Sequence, residues 1–449
     1  MQRIPGADLG QDYSAVCQFI LAASSPTADA MSRPTPSRPR IWIIEQHTLP
    51  PGYPGGTRHF HIGEELVAQG FDVEVMTSDF HISKREHLKL QWPRLKMAES
   101  FGELRWTWLW ASGYQRNNWK RYMNILTFAG TMALTTMFRR KPSVVIGSSP
   151  HLLAAYAAYL MAKMRRVPFY IEIRDLWPQT LIDMGGKSED NRMVRLLAWL
   201  ERKLYTNADR VLLLAEEAVD YVVARGAKRE NVLWVPNGVE LFPLESLPTP
   251  SAARQGHQIE QDRFVLMYTG AHGAANSLAT TVEAARLLDQ DAPGKFRILL
   301  VGDGIEKATL LEQGAGIECL EFRDAIPKRE LRTLLHAADA LILTLLDVPV
   351  FHYGVSPRKL YDYYAAGKPV VVNVEGQITR EVTDHACGFC APPENPRALA
   401  DAMLKMADQS ADDLSGMGKR ARALAESTYD MQVIARRIAE VVARDMKRN

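Results

Sequence analysis

Cysteine, long apolar runs and an excess of one charge are all scarce in this sequence, and each scarcity excludes something. Four cysteines (Cys17, Cys319, Cys387 and Cys390) in 449 residues are too few for a disulfide framework, which points to a reducing cytosol. Cys387 and Cys390 have metal-ligand spacing. No second pair or histidine partner accompanies them, so small residues at the edge of a turn are the simpler reading and no metal is expected. No apolar run reaches the ~18–20 residues that span a bilayer. The nearest, Ile125–Phe138, is shorter and holds four threonines. The 54 basic residues are balanced by 52 acidic ones, which excludes nucleic-acid binding by bulk electrostatics. The start of the chain lacks core-forming composition. Residues 1–39 close on alternating Pro34, Pro36 and Pro39 and read as a disordered leader, with Met31 as an alternative start. The short run VCQFILAA has no basic region immediately before it and does not make a signal peptide.

What is present, from Arg40 onward, is an alternation of short aliphatic runs with longer amphipathic stretches. IWIIEQ, DVEVMTS, SVVIGSS, PFYIEIRD and RVLLLA read as strands, with helices over about 57–69 and along LLAAYAAYLMAKMRR. Such a pattern indicates a parallel sheet covered on both faces. A polar Pro/Gly/Ser-rich stretch follows, and the pattern restarts with RFVLMYTG, FRILLVGDG, ECLEFRD, ALILTL and PVVVNV. The expected fold class is therefore α/β, with two Rossmann-like doubly wound domains. The expected boundaries are 40–240 and 263–430, a linker over 241–262, and a C-terminal helix over 431–449 that crosses back to the first domain. Two such domains place a cleft between the C-terminal edges of their sheets, where helix N-termini attract phosphates. A two-lobed secreted binding protein has similar anatomy but needs a signal peptide.

Five turns in this framework carry candidate chemistry. After the first strand, Gly55 and Gly56 in PPGYPGGTRHFHIGEEL either admit a ligand close to the backbone or make a tight turn. In EIRDLWPQT, Arg174 and Asp175 end a strand. They either face the cleft or take part in a salt bridge with Glu172 and its neighbours. In YTGAHGAANSL, His272 and Asn276 put polar groups at the first turn of the second domain, either for a ligand or as a helix cap. VGDG brings Gly302 to a strand end, and FRDAIPKREL offers Ile326 as an apolar platform for a flat base. In FHYGVSPRKLYDYYAAGKP, Ser356 reads as the N-cap and Pro357 as the first helical residue. Arg358 and Lys359 then stand in a first turn that is already positive, which calls for an anion such as a diphosphate. Asp362, one turn on, suits ribose hydroxyls.

Taken in order, PGGTRHFHIGEELVAQGFDVEVMTS, EIRDLWPQT, VPNGVELF, YTGAHGAAN, VGDG and SPRKLYDYYAAGKPVVV resemble the family 4 glycosyltransferases with the GT-B fold over about residues 40–445. Within the family the chain resembles the branch that includes the N-acetyl-L-fucosamine transferases of O-antigen and capsule assembly. The resemblance implies retaining transfer from a nucleotide-diphosphate sugar, usually a UDP-sugar, with no cofactor and no required metal. It assigns Gly55 and Gly56 to the loop beside the donor phosphates. Arg174 and Asp175 fall where many relatives have a His-Asp pair, and Asp362 on the second acidic position of the E-x7-E motif. The first acidic position falls on Gly354, and the family's Arg and Lys after the first strand of the second domain are replaced near His272 and Asn276. Arg358 or Lys359 then supplies the lost charge.

The resemblance also implies a polyprenyl-diphosphate-linked saccharide acceptor and attachment to the inner face of the plasma membrane. WTWLWASGYQRNNWKRYMNIL fits an interfacial surface: Trp106, Trp108, Trp110 and Trp119 stand among Arg116, Lys120 and Arg121. A buried amphipathic helix is the other reading of this segment. Within the same fold, a UDP-sugar 2-epimerase or a non-catalytic nucleotide-sugar-binding partner are the alternative functions.

Overall fold

The computed structural model describes residues 38–53, 56–116, 119–149 and 151–447. Nearly all of the expected leader lies outside the described residues, with Met31 and Cys17, and so does Gly55. The first sheet contains β1 (Arg40–Ile44), β2 (Asp72–Ser78), β3 (Lys96–Phe101), β4 (Leu104–Leu109), β5 (Val144–Ser148), β6 (Phe169–Ile173), β7 (Arg210–Leu213) and β8 (Val232–Trp234). Across the sheet they run β8-β7-β6-β5-β1-β2-β4-β3, parallel except for the β3–β4 hairpin. The second sheet contains β9 (Phe264–Thr269), β10 (Phe296–Val301), β11 (Leu320–Arg323), β12 (Ala340–Thr344), β13 (Val370–Asn373) and β14 (Gly388–Ala391). Their order is β11-β10-β9-β12-β13-β14, all parallel.

Central strands such as RIWII and ALILT are buried almost throughout, because helices cover both faces of each sheet. β3 shows the opposite pattern. Its residues alternate between exposed and half-buried, as an antiparallel edge strand should. Its partner β4 corrects the surface reading of Trp106 and Trp108. Both indoles are fully buried: Trp106 packs with Phe60 and Phe101 between sheet and helix, and Trp108 with Trp106 and Tyr53.

The helices that matter to the site are α1 (Arg58–Ala68), α2 (Trp119–Thr136), α3 (Leu152–Arg165), α4 (Leu278–Asp291), α5 (Arg358–Ala365) and α6 (Met431–Met446). α6 packs on α1, burying Ile434 and Ile438 in the first core beside Leu66. Asp445, near its end, accepts from Tyr170 Oη at 2.7 Å and Arg210 Nε at 2.8 Å. The chain therefore passes between the two sheets twice, and the crossings pair with each other. The Val239 amide donates to Tyr429 O at 2.9 Å, and the Met431 amide to Val239 O at 3.1 Å. The polar stretch 241–262 folds onto the second half. A helix forms over Pro250–Gly256, Phe242, Ala253 and Ile259 join the second core, and buried Arg254 bonds Ala337 O and Asp339.

Candidate active site

Three side chains at the cleft are fixed from below by one carboxylate. Glu172, at the end of β6, accepts from Arg58 Nε at 2.9 Å and Ser148 Oγ at 2.5 Å, and pairs with His59 Nε2 at 2.6 Å. Burial would raise the Glu172 carboxyl, but the charges of His59 and Arg58 hold it well below the usual carboxylate range. Arg58 also donates to the carbonyls of Val235 and Pro236, so the start of α1 is tied both to a strand end and to the first crossing between the halves. No motif reading had singled out Arg58 or His59. Two basic residues directly after the glycine loop were the available signal.

Arg174, one residue beyond β6, bonds differently from Glu172. Its backbone amide donates to Ser149 Oγ at 2.9 Å, and its guanidinium lies 3.6 Å from Glu45. It also faces the second half. A Cβ added to Gly56 would stand 3.8 Å from both Arg174 Nη2 and Arg358 Nη1. The structure thus brings Gly56, Arg174 and Arg358 together from three separate segments. Arg358 reaches Thr57 Oγ1 at 3.5 Å and has no ion pair among the described residues. Burial, and then the charge of Arg174, depress its pKa. An arrangement of guanidiniums that repel one another gains by taking up an anion.

Two cavities flank this cluster. One, of about 210 Å³, is lined by Arg174, Asp175, Asn237, Gly354, Ser356 and Pro357. Asp175 is open to solvent at its mouth and makes no side-chain hydrogen bond among the described residues. The protein atoms around it raise its carboxyl pKa, against the pull of Arg174. The other, of about 320 Å³, is lined by Gly270, Gly302, Asp303, Ile326, Lys359 and Asp362. Gly302 is required there: its φ is +155°, and a Cβ would fall 1.8 Å from Gly270 O. Lys359 Nζ bonds Tyr268 Oη at 2.6 Å and also the side chain of Asn276, and burial lowers its pKa to about 7.

Two expected roles are corrected. Ser356 does not cap α5; Pro357 holds the N-cap position, with no side-chain cap, and the helix starts at Arg358. Ser356 instead accepts from the Asn237 amide at 2.9 Å through its hydroxyl and from Asn237 Nδ2 at 2.7 Å through its carbonyl. That pins the loop before α5 to the crossing after β8. His272 is fully buried, its ring beside those of Tyr268 and Phe322, and it does not line the cavity. Thr269, Gly270 and Ala271 line it from that turn. Gly354 has φ +91°, and a Cβ there would lie 3.1 Å from Ala215 and Glu217 of the first half. A larger residue at Gly354 would be strained and crowded.

The comparisons with known proteins follow this division into halves. Residues 55–238 match the glycosyl transferase 4-like domain, and residues 263–409 match the glycosyl transferases group 1 domain. The chain belongs to the family 4 glycosyltransferases. This glycosyltransferase is 24% identical over 394 residues to the putative colanic acid biosynthesis glycosyl transferase WcaI of Escherichia coli K12, covering 83% of the chain and 92% of the relative. It is 24% identical over 322 residues to the probable glycosyltransferase WbjE of Pseudomonas aeruginosa, covering 70% of the chain and 78% of WbjE. Its fold is that of sucrose-phosphate synthase from Thermosynechococcus elongatus, with TM-score 0.72, 16% identity, and coverage of 92% of this chain and all of that one. The Anabaena HepE structure in complex with UDP and glucose is similar at TM-score 0.64 and 16% identity, covering 91% of this chain and all of HepE. The fold is GT-B.

Proposed function

We propose that this glycosyltransferase moves a sugar, with retention, from a UDP-sugar to a polyprenyl-diphosphate-linked saccharide in cell-surface polysaccharide assembly. The observation that carries the reading is the place of α5 between the two cavities. Ser356 and Pro357 line one, and Lys359 and Asp362 line the other. A nucleotide in the second cavity sets its base against Ile326 and its ribose on Asp362. Its diphosphate lies over the α5 N-terminus, between Lys359 and Arg358. The donor sugar then enters the first cavity beside Arg174 and Asp175. HepE, of the same fold, holds UDP and glucose, and WcaI is named for colanic acid biosynthesis; both agree with this reading.

The chemistry follows from the charges. The bond from the anomeric carbon to the diphosphate oxygen breaks, and the bond to the acceptor oxygen forms on the same face. The acceptor's proton passes to a donor phosphate oxygen. Arg358, Lys359 and the helix dipole stabilise the charge that develops on the leaving diphosphate. Closing the cleft around the two crossings excludes water.

Attachment to the inner membrane face is part of the proposal. Among the described residues no helix is long and apolar enough to cross a membrane. α2 buries Ile125, Phe128 and Met132 and leaves Trp119, Tyr122 and Leu126 exposed; Phe138, just beyond it, is 90% exposed. An aromatic and apolar ridge beside Lys120 and Arg121 suits a bilayer surface. The test is a product assay with a panel of UDP-sugars and a short-chain lipid-diphosphate acceptor, with the anomeric configuration read by NMR. A retained configuration supports the reading, whereas inversion, or turnover of the UDP-sugar to its epimer without acceptor, contradicts it.

A further inference from the structure

A cluster on the first half, outside both cavities, has no part in donor binding. His47, in the loop after β1, and His151, the N-cap of α3, stand with ring centroids 4.7 Å apart at 77°. Arg121 lies in the first turns of α2, on the side that also carries buried Asn124 and Ile125. Asn124 accepts from Gln46 Nε2 at 2.7 Å, which fixes the foot of α2 to the loop that carries His47.

Each member is unsatisfied. His47 Nδ1 is buried without a hydrogen-bond partner, and α3 begins with no side-chain cap on its free amides. Arg121 makes no ion pair among the described residues. Its positive charge, with burial, acts on both rings. Burial, and beside it His151, Arg121, Arg174 and His81, hold His47 well below the usual imidazole range; burial and then Arg121 bring His151 to about 4. Two uncharged imidazoles able to donate, an unpaired guanidinium and the amides of a 14-residue helix start all favour a bound oxyanion.

The same Arg121 stands at the foot of the exposed ridge of Trp119, Tyr122, Met123 and Leu126. An anion seated here has an apolar surface running away from it. We infer that His47, His151, Arg121 and the α3 N-terminus form the seat for the diphosphate of the lipid-linked acceptor, whose chain lies along α2. The inference rests on the proposed acceptor class and adds the residues that read it. Glu45 accepts from the His47 amide at 2.8 Å and also lies 3.6 Å from Arg174, which lines the first cavity with Asp175, so the acceptor saccharide then spans from the histidine pair to Asp175.

Calorimetry on the full chain, with UDP saturating the donor cavity, tests this with farnesyl diphosphate, farnesol and inorganic pyrophosphate as probes. Farnesyl diphosphate should bind the wild type best. Arg121→Ala, and separately His47→Gln with His151→Gln, should weaken it on the order of tenfold or more, as expected for losing charge-assisted bonds. Arg121→Lys should recover part of the loss, and UDP affinity should be unchanged in all variants, which also shows that they fold. Farnesyl diphosphate binding that is indifferent to these substitutions, or farnesol binding as tightly, overturns the inference. Pyrophosphate binding as tightly as farnesyl diphosphate, with both lost in Arg121→Ala, sustains the anion seat and overturns the lipid-linked acceptor instead.

Discussion

Two helix starts meet across the cleft, each placing two basic residues in its first turn, and they are finished in opposite ways. At Arg58-His59, the start of α1, both side chains are spent on Glu172, and Arg58 also serves the backbone of the interdomain crossing. At Arg358-Lys359, the start of α5, neither cation has an ion pair among the described residues. Lys359 rests on a phenol and an amide, and Arg358 on a threonine hydroxyl. The same local pattern is thus answered by a buried carboxylate at α1 and left without a counter-charge at α5, where the proposed function places the donor diphosphate. Sequence spacing does not tell them apart, because Glu172 lies 114 positions from Arg58.

The sharpest way to break this comparison is to remove the answering carboxylate. Glu172→Gln should cost about 3–5 kcal/mol, since it leaves the Arg58 guanidinium buried without a counter-charge. Urea unfolding checks this, and a loss below ~1 kcal/mol would erase the distinction. The opposite result is expected at α5. Arg358→Ala should leave stability within ~1 kcal/mol while lowering kcat on the order of 100-fold, because it removes a group that stabilises the leaving charge. Lys359→Ala should weaken UDP binding by about 1–3 kcal/mol. Here pH gives a further handle. Lys359 in the free protein loses its proton near pH 7, while a bound diphosphate favours the charged form. UDP affinity should therefore fall as pH rises above about 7, by up to tenfold per unit, with this dependence absent in Lys359→Ala. The smallest effect is expected from Ser356→Ala, which loses the bond to Asn237 and about 1 kcal/mol of stability with little change in UDP affinity.

Most of the fold was legible in the sequence because parallel strands buried on both faces read as aliphatic runs between glycine turns. The β3–β4 hairpin was not, since its tryptophans resemble an interfacial belt until β3 and α1 are seen to cover them. At the site, Gly302, Ile326, Lys359 and Asp362 were found together because each follows a strand of one sheet and the C-terminal edge collects them. Ser356 and His272 went astray for a shared reason. A capping serine and a turn histidine are local inferences, whereas Asn237 claims the first and the packing of Tyr268 and Phe322 encloses the second. Glu217 was equally hidden. It reaches from the first half to Arg380 and lies over Gly354, where the family's first acidic residue would fall.

In the proposed function, the α5 entrance lacks a counter-charge from the protein because the donor diphosphate supplies it. Calorimetry comparing UDP with uridine on the wild type and on the Arg358→Ala, Lys359→Ala double variant tests it most directly. UDP should lose at least 100-fold in affinity, while uridine, which the proposed function sets on Ile326 and Asp362, should bind as before. UDP binding that survives the double substitution, or a loss shared equally by uridine, would contradict it.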